Sequence, residues 1–467
     1  MRKRQLLTSL LMCLMLSNIS TANAQTTEVF DIAGVKAEVG IDTTSAIPEI
    51  VSVNLIDNVT SETELPSFNV AELFGMNPGD VTVSGAVANE TFSIITPIRK
   101  MDGVIDENGM ITFAPAGSGY DSFNPAVMSS AVGAQLGGYL TQLNAYNQAF
   151  HNMDTYMLMT KSQRKAMKMA SKMACSACAV GNPHKGALMW SNPYTSFEKV
   201  NLDGGPKVSN VGYGMFFGGE SDLQDLGNGW DGVFGAYVGY NGSHQAYDGV
   251  SIYQNGGTLG LVGMAYKDNF FTGLTVNAGA NAAQATSSFG AEDFSMLMAG
   301  IASKTGYNFE FKDGKVILQP SMLMSYTMVN TFDYKNAAGV TVYSDALHAL
   351  QIEPGLRVIG NLKDGWQPYA GISMVWNIMD KTQMTANDVS LPSLSVKPYV
   401  RYGVGVRKSW GEKLSGFFQT FITNGGRNGV GLQLGFRWAL GEGSTKNHDT
   451  MGRTPERDNL KVTLNNR

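Results

Sequence analysis

The chain is 467 residues long, with 16% charged residues, 10% aromatics, 54 glycines and a formal net charge of −5. That length admits two or three domains. So small a net charge gives no basis for nucleic-acid binding or for an acidic substrate, whereas few charges among many Gly, Tyr, Phe and Trp suit a β-protein that meets lipid on one face.

Arg2, Lys3 and Arg4 form a positive start, Leu6 to Leu16 a short apolar run, and Ala22-Asn23-Ala24 a small-x-small cleavage pattern. Residues 1–24 therefore read as a secretory signal peptide addressed to the Sec translocon, with the mature chain starting near Gln25. The apolar run is shorter than the roughly 18 residues a spanning helix needs. Cys13 lies inside it and leaves with it, and Met12 stands where a lipid-attachment site needs a small residue. No later run is long enough for a transmembrane helix. A membrane location then requires a closed barrel, the other solution that satisfies every backbone polar group.

Residues 25–120 are rich in Thr, Ser, Asn and acids and are punctuated by Pro. Short β-like runs fall at Glu49–Asn54, Asp80–Val83 and Thr91–Thr96. Asp106-Glu107-Asn108-Gly109 reads as a hairpin turn between Val104-Ile105 and Met110–Phe113. This is the signature of a small β-rich module.

Residues 121–180 change texture. Asn124 is a good N-cap and Pro125 a good first helical residue. Val132, Leu136, Tyr139, Leu140, Leu143, Tyr146, Phe150 and Met153 recur at helical spacing, with Ala, Gly, Ser, Gln and Asn opposite. Thr160 and Gln163 form a capping box for a second helix. It carries Lys161, Arg164, Lys165, Lys168 and Lys172, either as a solvated face or as a contact with headgroups or a polar lumen.

Between residues 190 and 440 the pattern is strand, turn, strand. About twelve runs start near Tyr194, Lys207, Gly232, Gly257, Phe270, Ser295, Val316, Leu350, Trp366, Ser395, Leu414 and Gly429. In 366–378 one face is Trp366, Pro368, Ala370, Ile372, Met374, Trp376 and Ile378. In 396–408 Val400, Tyr402, Val404 and Val406 oppose Lys397, Arg401, Gly403, Gly405 and Arg407. The final run sets Val430, Leu432, Leu434, Phe436 and Trp438 against Gly431, Gln433, Gly435 and Arg437. Period two places each set on one side of a sheet. Apolar outside with polar and small residues inside is the pattern of an antiparallel transmembrane β-barrel, whose partner is outer-membrane lipid. An even strand count near twelve closes with no exposed edge. Lys312-Asp313-Gly314 and Lys363-Asp364-Gly365 read as short turns, Asp203-Gly204-Gly205 and Asn241-Gly242 as hairpin turns, and Tyr334–Leu347 and Asp380–Leu394 as longer loops. The 25 Met residues suggest flexible lipid-facing filler. A polar tail, 441–467, follows.

Chemistry is sparse. Cys175-Ser176-Ala177-Cys178 holds the only cysteines after the leader. A zinc site needs two more ligands, and only His184 is near. No His follows directly after Cys178, so c-type haem attachment is excluded, and there is no thioredoxin-like pattern. A local disulfide between Cys175 and Cys178 is the expectation in an oxidising compartment, with metal and redox roles as alternatives. None of the five His lies within 25–120, which excludes a Ser-His-Asp protease there. Ser243 and His244 are adjacent on a strand and point to opposite faces, so they do not share a proton. No catalytic residue, metal site or cofactor is assigned.

Residues 411–440, with Asn424-Gly425-Gly426-Arg427-Asn428-Gly429 running into Leu434-Gly435-Phe436-Arg437-Trp438, resemble the end of an autotransporter β-domain. The resemblance extends over about 122–440 as an architecture of helix and twelve strands. It implies type V secretion: a barrel placed in the outer membrane by the barrel-assembly machinery, a helix threading its lumen, and a passenger outside the cell. On that reading 25–120 is a short passenger, an adhesin or interaction module whose ligand the sequence does not name. A porin-like channel with a periplasmic N-terminal module is the alternative. Departures from the family pattern are the polar tail after Trp438 and the small passenger. Ala126, Ser129, Ser130, Ala131, Gly133, Ala134, Gly137 and Gly138 are the small residues a narrow lumen demands. Glu353, Arg357, Lys397, Arg401, Arg407 and Arg437 are candidate lumen-facing charges, there to bind the helix or to keep the pore solvated.

Overall fold

The structure is a computed structural model that describes residues 25–32, 35–55, 67–77, 79–85, 87–157, 159–162, 164–165, 188–410 and 414–439. The leader, Cys175 and Cys178, most of the helix expected after Thr160, and the polar tail lie outside the described residues.

The N-terminal module consists of β1 (Gln25–Ile32), β2 (Val35–Asp42), β3 (Glu49–Leu55), β4 (Phe68–Asn69), α1 (Val70–Leu73), β5 (Thr82–Val83), β6 (Thr91–Ile95), β7 (Lys100–Ile105) and β8 (Met110–Pro115). One sheet runs β1-β2-β3-β5 and the other β4-β8-β7-β6. Val39, Ile41, Ile50, Ile105 and Ile111 from the two sheets and Val70 from α1 share one apolar core. The β7–β8 hairpin turns where the sequence places it. The Asp106 carboxylate accepts from the backbone N–H of Asn108 and Met110, both at 2.9 Å. Gly109 sits at φ +75°, a left-handed conformation that costs glycine little.

A 33-residue helix, α2 (Pro125–Met157), follows. The Asn124 side chain accepts from the N–H of Ala126 at 2.9 Å, which satisfies one of the free donors of the first turn. The same side chain donates to the carbonyls of Thr96 (2.9 Å) and Pro97 (3.2 Å), tying the helix start to the β6–β7 turn.

Twelve long strands complete the fold: β9 (Leu188–Asp203), β10 (Lys207–Glu220), β11 (Trp230–Ala246), β12 (Ser251–Lys267), β13 (Phe270–Ser287), β14 (Gly290–Tyr307), β15 (Val316–Thr331), β16 (Leu347–Gly360), β17 (Trp366–Ile378), β18 (Tyr399–Trp410), β19 (Leu414–Gly425) and β20 (Arg427–Ala439). Each is antiparallel to its sequence neighbour, and β20 pairs with β9 to close the barrel. Strands reach 18 residues, beyond the roughly 9–11 that cross a bilayer, so they project past the hydrocarbon. Closure removes both sheet edges, the liability of any open sheet of this length.

The expected apolar faces point outward. Val430, Leu432, Leu434, Phe436 and Trp438 are 39–44% exposed, while Gln433 and Arg437 between them are buried. Trp366, Ile372, Met374, Trp376 and Ile378 form the same stripe on β17. Among the described residues no helix is long and apolar enough to cross a membrane, a statement that does not touch strands.

Several local expectations need correction. Asn241-Gly242 is not a turn but lies inside β11, where a Cβ on Gly242 would stand 2.5 Å from the Tyr213 ring of β10. Here glycine serves close strand packing rather than chain reversal. Ser395-Val396 pairs with Asp203-Leu202 at the rim, and the barrel strand begins at Tyr399. The methionines divide: Met322, Met324 and Met374 face outward, but Met128, Met153, Met157, Met264, Met296 and Met298 are buried between helix and wall. The two longer loops lie where the sequence places them and carry short strands of their own: Tyr334–Lys335, Thr341–Ser344, Met384–Ala386 and Val389–Ser390 build a four-stranded lid.

Candidate functional site

The barrel lumen is the candidate site, and α2 fills it. An amphipathic pattern predicts burial of one helix face, yet both faces are buried here, from Val127 and Tyr139 to Gln135, Gln142 and Gln148. A barrel surrounds its contents, so the polar face meets polar wall instead of solvent. The wall contains glycines where the helix needs room, and the helix contains glycines where the wall protrudes. A Cβ on Gly133 would stand 2.2 Å from Ile252 Cδ1, on Gly137 2.2 Å from Gln254 Oε1, and on Gly138 2.7 Å from Val329 Cγ1. These are contacts real side chains do not tolerate without rearrangement.

Hydrogen bonds follow the helix from one mouth to the other. At the lid end, Ser130 Oγ lies 2.8 Å from Tyr334 Oη. Gln135 Nε2 donates to Ser344 Oγ (3.0 Å) and to the Asp345 carbonyl (2.6 Å), and Gln135 Oε1 accepts from the N–H of Gln383 (3.1 Å). Mid-lumen, Tyr139 Oη donates to Asn377 Oδ1 (2.8 Å), and Tyr146 Oη donates to the Tyr326 carbonyl (2.9 Å). At the far end, Asn308 and Gln319 donate to the Met157 carbonyl at 2.8 and 3.1 Å, replacing the intrahelical partner lost at a helix C-terminus. The chain then docks on the turns at that mouth. Lys161 Nζ pairs with Asp268 at 2.6 Å, and the Lys161 N–H donates to Glu310 Oε1 at 2.8 Å. The side-chain hydrogen bond from Lys161, followed by its charge, holds the Asp268 carboxyl below its ordinary range.

The charges named from the sequence occupy distinct places. Arg401 of β18 and Glu353 of β16 pair on the inner wall over β17 at 3.4 Å, Ser373 Oγ of β17 donates to Glu353 at 2.6 Å, and Arg401 Nη1 donates to Asn147 Oδ1 of the helix at 3.1 Å. Arg357 lies over the Tyr369 ring at 5.3 Å, and Arg407, buried, lies 6.0 Å from the Phe417 ring centroid. Arg437 is buried and paired with Glu220. Lys397 stands apart at the rim, half exposed and 3.6 Å from Asp203. Glu353, Arg357 and Arg401 line a cavity of about 140 Å³ between α2 and the wall, together with Asn144, Asn147 and His151.

Sequence reasoning missed Glu198, Glu220 and Arg427. Glu198 takes a two-pronged bond from Arg427, at 2.6 and 2.8 Å, inside the lumen. Period two alone would have placed Glu198 and Glu220 inward, but neither falls in a stretch with an unbroken apolar alternation. His244 does not engage Ser243. Its Nε2 lies 2.8 Å from Ser251 Oγ on the next strand, and its ring stacks on Tyr253 at 4.1 Å.

A closed twelve-stranded barrel with an apolar exterior and a helix along its polar lumen is a transmembrane translocator-type barrel. Residues 189–420 match the family model described as the autotransporter beta-domain, and the barrel belongs to that family. Solved structures with a similar fold include the β-domain of the Bordetella autotransporter BrkA (17% identity, 55% of this chain and 100% of that one, TM-score 0.46). Others are the transport unit of AIDA-I from Escherichia coli (16%, 55% and 91%, 0.48) and the translocator domain of NalP from Neisseria meningitidis (12%, 64% and 99%, 0.46). No curated protein matches the chain.

Proposed function

We propose that this protein carries its own short N-terminal module, residues 25–120, through the outer membrane and displays it at the cell surface as an adhesin or interaction module. The observation that supports this is the direction of α2. It enters the lumen at the lid end, its start tied by Asn124 to the β6–β7 turn of the module, and leaves at the end bearing Asp268 and Glu310. With the short turns in the periplasm, the lid and the module lie outside. The barrel's role is positional: the lumen holds the chain, and Gln135, Tyr139, Tyr146 and the Met157 carbonyl seat it. In this reading Cys175 and Cys178 form a local disulfide in an oxidising compartment.

An epitope tag inserted after Gln25 tests the reading on intact cells. External protease is expected to remove the tag while a periplasmic marker survives. A tag that is protected until the outer membrane is permeabilised overturns display and moves a channel with a periplasmic module to first place.

A further inference from the structure

Eleven of the twelve strand pairings in the barrel join neighbours in sequence, so a connecting segment limits how far each can slide. The twelfth, β20 with β9, has no such connection. Its register must come from side chains. Hydrophobic alternation alone cannot supply it, because a slip of one residue inverts the faces but a slip of two restores them. The outward stripe Val430, Leu432, Leu434, Phe436 would accept such a two-residue slip with little change in its exposure to lipid.

Two ion pairs lie across this seam, one near each end of β20. Arg427 grips Glu198 of β9, with the two side chains 5% and 3% exposed. Glu198 also accepts from Asn210 of β10 at 3.0 Å, and Arg427 donates to Tyr399 Oη at 3.2 Å. At the other end Arg437 reaches past Trp190 of β9 to Glu220 of β10, at 4% and 0% exposure. Both acids belong to the first hairpin of the barrel and both arginines to the last strand. A slip of two residues moves β20 by roughly 7 Å and separates both pairs at once. Four buried charges would then lose their counter-charges, each at a penalty of several kcal/mol.

We infer that Glu198–Arg427 and Glu220–Arg437 form a register lock that selects how the last strand meets the first and so sets the stagger of the closed barrel. Arg427 and Arg437 are positioning residues. They act on strand register and leave the outer surface unchanged.

The test is disulfide trapping in the full chain with Cys175→Ser and Cys178→Ser. Thr195 faces Leu432 across the seam. Thr195→Cys with Leu432→Cys reports the native register, and Thr195→Cys with Val430→Cys or Leu434→Cys reports the two slips. With the lock intact, only the first combination is expected to cross-link. Neutralising both pairs (Glu198→Gln, Arg427→Gln, Glu220→Gln, Arg437→Gln) is expected to raise a slipped cross-link to at least a tenth of the native one. Native cross-linking alone in that variant overturns the proposal. Should the neutral variant fail to give a heat-modifiable folded band, the exchanged pair Glu198→Arg with Arg427→Glu decides. Arg427→Glu alone is expected to fold poorly and the exchange to recover native cross-linking; failure of the exchange to improve on the single change overturns the lock.

Discussion

Replacing Gly300 with valine puts the fit between wall and helix to a direct test. Gly300 faces inward from β14, and a Cβ there would lie 1.6 Å from Tyr146 Oη, 2.8 Å from Tyr146 Cζ and 2.9 Å from the Tyr326 carbonyl oxygen. The ring has nowhere simple to go, because Tyr146 is buried and its hydroxyl is held by the Tyr326 carbonyl and lies 3.1 Å from Thr327 Oγ1. Overpacking costs about 1–3 kcal/mol, and each lost hydrogen bond about 1 kcal/mol. The sum, about 3–5 kcal/mol, is on the order of 10²–10⁴ in the equilibrium between seated and unseated helix. Two readouts apply to the purified chain: conductance in a planar bilayer and proteinase K digestion of α2 in micelles. Gly300→Val is expected to raise both. Adding Tyr146→Ala, which vacates the space a valine needs, is expected to return both toward the parent. Parent-like conductance and protection in Gly300→Val would refute the argument that glycine at this position makes room for the plug.

Other substitutions probe the lid, the lumen charges and the lipid face. Gln135→Ala removes the bonds to Ser344, Asp345 and Gln383. It should weaken lid closure by about 2–3 kcal/mol, read as faster proteolysis within 332–346 and 379–398 on intact cells. Arg401→Met strands Glu353 in the lumen, and a loss of about 3 kcal/mol is expected, seen as a lower temperature for the heat-modifiable gel shift. Adding Glu353→Gln should recover most of it, and an equally unstable double variant would contradict a paired role. Leu259→Arg places a charge on the lipid face, where Leu259 is 64% exposed. It is expected to cost about 2–4 kcal/mol near mid-depth, whereas an unchanged unfolding midpoint would show that this face does not meet lipid.

Much of this molecule is legible along the chain because a barrel strand is a local object. Alternation in 366–378 and 427–439 states which side meets lipid without reference to any other segment, since successive Cβ atoms must point to opposite faces. Asn124-Pro125 states where α2 begins, because the cap and the fixed φ of proline act within one turn. Asp106 to Gly109 states its hairpin for the same reason. The reading of Asn241-Gly242 as a turn failed because the same dipeptide serves chain reversal and close packing, and only the Tyr213 ring on the neighbouring strand tells them apart.

The contents of the lumen were decided elsewhere. That α2 is buried on its polar face as well as its apolar one depends on walls from 188–439 closing around it. The sequence names Arg401, Arg437 and Glu353 as inward charges, but whether a charge pairs, stacks or reaches the rim depends on the stagger between strands far apart in the chain. Glu198 and Arg427 are separated by 228 intervening residues and meet at 2.6 Å only because the barrel closes in one register. Periodicity sets which face of a strand is wet, since it follows from backbone geometry alone; closure sets which groups meet across the lumen, since that requires both ends of the chain in one place.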